Sequence, residues 1–144
     1  MADLLRELTT WIADQTGLRI GGGTAVRDDD RLFAGHIPPD KPDTGALVRE
    51  TGGPDQFLRG GFAEIGQGTF QVIARGPSHF AARELAWTIH AALHGAVYEV
   101  LGAHTLHVAE ALARPQFLGL DERGRHLFST NYRINAHDQS LATP

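Results

Sequence analysis

Thr69-Phe-Gln-Val-Ile-Ala-Arg-Gly-Pro-Ser-His-Phe-Ala-Ala-Arg-Glu-Leu-Ala-Trp-Thr-Ile-His-Ala-Ala-Leu-His-Gly-Ala-Val-Tyr98 changes its hydrophobic period once, and that change decides the fold. Phe70, Val72 and Ala74 alternate with Thr69, Gln71 and Arg75, the period-two pattern of a strand with one buried face. Gly76 and Pro77 stop the strand, and Ser78 is placed to cap a following helix. From Ala82 the period becomes 3.6: Ala82, Leu85, Ala86, Ile89, Leu93, Ala96 and Val97 form one stripe. The spacing predicts a long helix running to the end of the stretch and lying on a sheet. Gly95 inside the stripe costs about 0.8 to 1 kcal/mol relative to alanine, which a close backbone contact there would justify.

Upstream, Leu4, Leu5, Leu8, Trp11 and Ile12 recur at helical spacing between Asp3 and Gly17, predicting a helix over about 3–16. Leu18 and Ile20 can start a short strand, and Gly21 to Gly23 with Asp28 to Asp30 read as an exposed loop. Strands are expected over 31–37, ending at Pro38 and Pro39, and over 46–51. Residues 52–68 hold six glycines and Pro54 and predict a long loop between strands.

Downstream, 104–111 reads as a strand, parallel to the central one if beside it, because the helix forms the crossover. Residues 116–120, the turn Asp121-Glu122-Arg123-Gly124 and 125–135 read as a hairpin. Phe128, Tyr132 and Ile134 are expected to face the core, with Asn131 and Arg133 outward. Residues 137–144 have no pattern and predict a loose tail. No internal repeat is present. The expected architecture is α+β: a single domain over 1–144 with a mixed, mainly antiparallel sheet, an N-terminal helix and one long helix packed on one face.

Of the 144 residues, 42% are hydrophobic and 21% charged, as in ordinary globular domains. The absence of cysteine excludes a disulfide framework, thiolate zinc sites and a thiol nucleophile. A net charge of -4 argues against general nucleic-acid binding, which rests on neutralising phosphates. The first residues lack the order of a signal peptide and no apolar run is long enough for a membrane span. A soluble protein without membrane partners is expected. Lys41 is the sole lysine, so nearly every cation is arginine, which suits bidentate and interface pairing.

His90 and His94 lie four apart, a spacing that can chelate a metal. Ala91 stands where zinc hydrolases place glutamate, and Arg83, Trp87 and Tyr98 are expected on the same face, where a cation disfavours a metal. The sequence therefore predicts no metal and no cofactor, and reads the face as an aromatic contact stripe. The glycine clusters lack the Lys-Ser/Thr of a phosphate loop, and Ser78-His79 lacks the Gly-x-Ser-x-Gly elbow. His104 and His107 are expected on opposite faces of their strand, and Asp28 to Asp30 on a solvated turn. No catalytic constellation survives.

Glu50-Thr51-Gly52-Gly53, Phe70-Gln71-Val72-Ile73-Ala74-Arg75-Gly76 with its alanine-rich helix, and Pro115-Gln116-Phe117-Leu118-Gly119-Leu120-Asp121-Glu122-Arg123-Gly124 follow in an order that resembles the bacteriophage minor capsid or tail-completion family. It is similar to the tail terminators of long-tailed phages. The resemblance spans about Leu4 to Asn135 and rests on the order of the pieces. It implies a non-enzymatic subunit whose copies form a ring, commonly a hexamer, at the head-proximal end of the tail tube. Its implied partners are its own copies, the major tail-tube protein and head–tail connector or neck proteins, with DNA only as passing cargo. It further implies a virion protein of the tail or neck, assembled in the bacterial cytoplasm.

Ring subunits need contacts that repeat and close. Glu50, Arg75, Arg83, Trp87, His90 and Arg133 are the residues expected at such interfaces, because arginine and aromatic side chains favour them. Two alternatives remain open: a head–tail neck adaptor, and a small metal-dependent hydrolase using His90 and His94.

Overall fold

A computed structural model describes residues 3–22, 25–52 and 65–138. The chain order is α1 (Leu4–Thr16), β1 (Leu32–Ala34), β2 (Gly45–Gly52), β3 (Ile65–Gly76), α2 (His79–Leu93), β4 (Val97–Val100), β5 (His104–Ala111), β6 (Gln116–Leu120) and β7 (His126–Asp138). The strands form one seven-stranded sheet in the order β1-β2-β3-β7-β5-β4, with β6 also paired to β7. Every named pair is antiparallel except β1 with β2. This is the expected α+β arrangement.

Alternation builds the core. Ala46 and Val48 of β2, Phe70, Val72 and Ala74 of β3, and Phe128, Tyr132, Ile134 and Ala136 of β7 are all buried. They form one cluster with Leu8, Trp11 and Ile12 of α1 and with Ala82, Leu85, Ala86, Ile89 and Leu93 of α2. Both helices therefore share one face of the sheet. Each large side chain buried there contributes roughly 1.5 to 3 kcal/mol. Asp3 caps α1 by accepting from the Arg6 N–H, Gly17 ends it at φ 75, and Ser78 caps α2 by accepting from the Ala81 N–H. α1 is also tied to the β4–β5 turn, where Glu7 accepts from the His104 N–H at 3.1 Å and meets His104 Nδ1 at 2.8 Å.

Several expectations need correction. α2 stops at Leu93, not beyond Val97. His94 leaves the helix at ψ 122, Gly95 adopts φ 85, and the Gly95 N–H donates to the Ala109 carbonyl at 2.9 Å. Pairing with β5 outcompetes another helical turn, so Val97 and Tyr98 lie on β4. No atom lies within 4 Å of where a Gly95 Cβ would sit. Glycine serves the turn there, and the close approach is instead at Gly76, beside the backbone of Ala81 and Ala82.

β5 runs in the same direction as β3 but does not lie beside it: β7 lies between them, and the strand that directly follows α2 is β4, antiparallel to β5, so the helix does not form the expected parallel crossover. β1 is cut to Leu32–Ala34 because Gly35 turns at φ 82. Residues 65–68 of the expected loop belong to β3; the rest of it, 53–64, lies outside the described residues. β7 continues to Asp138, so the loose tail expected from 137 starts no earlier than 139, and 139–144 lie outside the described residues.

β5 and β6 occupy successive lengths of one side of β7: Ala111 faces Tyr132 and Gln116 faces Ser129. They behave as one strand broken where residues 112–115 bulge outward. The 38–43 connection folds over the face opposite the helices. It covers Arg75, which by alternation points there and was expected to be outward.

Candidate assembly surfaces

Three of the six expected interface residues come together. Arg83, Trp87 and His90 occupy the outer side of α2, at helical spacing that puts them on one stripe. The Arg83 guanidinium lies 5.8 Å from the Trp87 ring centre, within the range of a cation–π contact. Trp87 meets His90 edge-on at 5.1 Å, and His90 stacks on His94 at 5.1 Å. Phe80, Arg83, Glu84, Trp87 and Thr88 line a shallow open groove along this side.

The two imidazoles are held from beneath. His90 Nδ1 is 3.2 Å from the hydroxyl of the buried Tyr132, and His94 Nδ1 accepts from the Ala111 N–H at 3.0 Å. Burial, and then His94, lower the His90 pKa below its ordinary value, which keeps the ring neutral at neutral pH. Both Nδ1 atoms are thus committed to packing α2 against β7 and β5. Among the described residues no group of three histidine or acidic side chains is placed to hold a metal, so none of them supplies the third ligand that the hydrolase alternative requires. Tyr98, expected on this stripe, sits on β4 near His107 instead.

The other three candidates point elsewhere. Glu50 is exposed near the end of β2, in register with Phe70 and so on the helix side of the sheet. Arg133 is exposed on β7, in register with Thr69 and Glu110, on the opposite face. That face also presents Arg49 bonded to Gln71, with Asn131 beside them. Arg75 is 4% exposed. Its guanidinium donates to the Pro42 carbonyl, and Nε has no hydrogen-bond partner among the described residues.

Three features escaped the sequence reading. Asp30, expected on a solvated turn, is buried: it accepts from the Arg27 N–H and Arg19 Nε, both at 2.9 Å, and the Arg27 bond is the main reason its pKa falls. Arg125 is buried beside Arg75 and links the Asp121 turn to the 38–43 connection through Asp121, Asp43 and the Pro39 carbonyl. The Asp-x-x-Gly turn was the available signal, but its partner 80 or so residues away was not legible.

The third feature is apolar and exposed. Phe80 at 76%, Phe117 at 49%, Leu118 at 55% and Leu120 at 59% exposure surround the start of α2 and β6. His79 joins them, 5.3 Å from Phe117 and 4.9 Å from Phe128. Monomeric proteins keep such contiguous patches small. Among the described residues no helix is long and apolar enough to cross a membrane.

Residues 11–138 match the family model described as bacteriophage tail terminator protein. No curated protein matches the sequence. Among solved structures, a chain from the virion of a native gene transfer agent particle shares the fold, with a TM-score of 0.55 at 19% identity; the match covers 94% of this chain and 99% of that one.

Proposed function

The chain belongs to the bacteriophage tail terminator protein family, and from that premise we propose that it is a structural subunit that forms a ring at the head-proximal end of a tail tube. The ring ends tube polymerisation on one side and receives the head connector on the other. The chain performs no catalysis; its work is assembly. The observation that carries this reading is the family match over nearly the whole described domain.

The geometry supports it in kind. A ring subunit stacked between other rings needs surfaces in several directions: two for its neighbours and one each for what lies above and below. The outer side of α2, the end of β2 with Glu50, and the uncovered sheet face with Arg133 are three such surfaces. Arg83, Trp87 and His90 form the contact on the first, Glu50 and Arg133 the charged contacts on the other two. Arg75 acts from inside, holding the 38–43 connection against the sheet.

Reversing the charges in a Glu50→Arg, Arg83→Glu, Arg133→Glu triple variant tests the assignment. All three side chains are exposed, so each change alters stability by no more than about 0.5 kcal/mol. The expected result is a folded protein that neither assembles nor limits tail length, read by mass measurement and by electron microscopy of tails. Unchanged assembly and unchanged tails would remove these residues from the interface.

A further inference from the structure

Three side chains along one flank of α2 share one chemistry: they donate. The Arg83 guanidinium and the Trp87 indole N–H are donors by type, and among the described residues neither has a hydrogen-bond partner beside the contact of one over the other. His94 is made a donor by its neighbour. The Ala111 backbone N–H can only donate, so His94 Nδ1, 3.0 Å away, accepts, and the neutral ring carries its proton on the opposite nitrogen, Nε2. His94 and Arg83 are exposed and Trp87 is half-buried. Glu84 points to the far side of the groove, about 100° round the helix from Arg83. A flank of donors with a cation at its head suits a carboxylate, which accepts at both oxygens.

The fold places one at the same height on the other side of the sheet. Ala111, which His94 holds, is in register with Tyr132, which His90 holds; Tyr132 is in register with Phe70, and Phe70 with Glu50. All four lie in one row across β5, β7, β3 and β2, and the donor flank and Glu50 are both on the helix side. Neither outer strand reaches this row. β1 pairs with β2 only as far as Val48, and β4 pairs with β5 only as far as Val108. Among the described residues, Ala111 and Glu50 therefore end the row, ~14 Å apart across three strand spacings. Glu50 is exposed, with no ion-pair or hydrogen-bond partner among the described residues.

We propose that Glu50 of one copy of this chain is received by the Arg83, Trp87 and His94 donors of the next. The two surfaces lie at one level, on one face and at opposite sides of the subunit, so copies set side by side about an axis along the strands bring them together without inversion. Such a contact is heterologous and repeats from copy to copy until it closes. Its charges are complementary, which fixes register and disfavours other pairings. It rests on the ring reading above and names the residues through which neighbours join.

The native chain has no cysteine, so a Glu50→Cys, Ala91→Cys double variant can be cross-linked with a short bismaleimide. Ala91 is exposed beside Trp87 and His94, and its replacement leaves the three donors in place. In particles from a strain lacking the native chain and supplied with the variant, a ladder of covalent multimers is expected, and each single variant should give none. Dimers from one single variant alone would mean a two-fold contact and overturn the proposal. So would monomer alone on tails of controlled length, and that result would leave the ring reading intact. A ladder beside tails whose length is normal even without the chain would leave the contact standing and count against the terminator reading instead.

A second measurement does not depend on a cysteine at position 50. Glu50→Gln and Arg83→Gln are each expected to lower the amount of chain retained on purified tails, and the double variant to lower it no further than the worse single one, because both remove the same pair. Losses from Glu50→Gln and Arg133→Gln, on separate surfaces, should multiply. Full retention in both single variants, or losses that multiply in the Glu50–Arg83 double, would overturn the pairing.

Discussion

Alanine in place of Gly76 is expected to lower the melting temperature by several degrees, and valine by more. Gly76 ends β3 two residues before the Ser78 cap, where the strand passes under the first turn of α2. A Cβ there would lie 2.7 Å from the Ala82 nitrogen and 3.1 Å from both the Ala81 carbonyl carbon and the Ala82 Cα. These are backbone atoms, held by the Ala82 N–H to Ser78 carbonyl bond at 3.1 Å, so no side chain can swing aside. The helix must lift from the sheet or the strand must bend. Overpacking of this kind costs about 1 to 3 kcal/mol, which corresponds to roughly 3 to 15 °C for a chain of this size. Thermal unfolding followed by circular dichroism measures it. A Gly76→Ala variant that melts with the parent would refute the close approach.

Asp121→Ala is expected to cost more. The carboxylate accepts from the backbone N–H groups of Arg123 and Arg125 at 2.9 Å each, and from Arg125 Nε at 2.8 Å. Without it the buried Arg125 keeps only the Pro39 carbonyl and the 3.5 Å contact to Asp43, next to a second buried cation, Arg75. Breaking a buried pair on one side costs about 3 to 5 kcal/mol. The hairpin and the 38–43 connection should loosen together, visible as faster amide exchange in both.

Acid should do part of the same. Burial pushes the Asp121 carboxyl up, but the Arg125 and Arg123 N–H groups and the Arg125 guanidinium outweigh it, so its pKa lies below the ordinary 3.8. A carboxyl depressed in the folded state contributes its full stability above the unfolded value, and loses it as pH falls through the folded one. Stability should therefore hold down to about pH 4 and drop below it, and the drop should be shallower in Asp121→Asn. An identical acid profile in that variant would contradict the assignment.

Local rules made most of the fold legible. Two caps, the period switch at Gly76-Pro77, the buried set on β3 and β7, and the Asp121 turn were all written in neighbouring residues. The errors came where a distant partner decided. The apolar stripe through Ala96 and Val97 fits a helix, but β5 offers backbone pairing there and Gly95 supplies the turn. Arg75 alternates outward, yet a connection from the other side of the sheet lies across it. Asp30 sits in an acidic run that reads as solvated, until Arg19 closes on it. The outer side of α2 was legible because helical spacing alone gathers Arg83, Trp87 and His90. The apolar edge at β6 was not, because exposure depends on which strands end up beside β6, and among the described residues only β7 does.

The central claim is that this subunit limits the length of a tail. Electron microscopy of particles from a strain lacking the chain tests it directly, with lengths measured on each tail and restored by supplying the chain from a plasmid. Overlong tails without heads, returning to uniform length on restoration, are the predicted result. Tails of normal length, with or without heads, would contradict it.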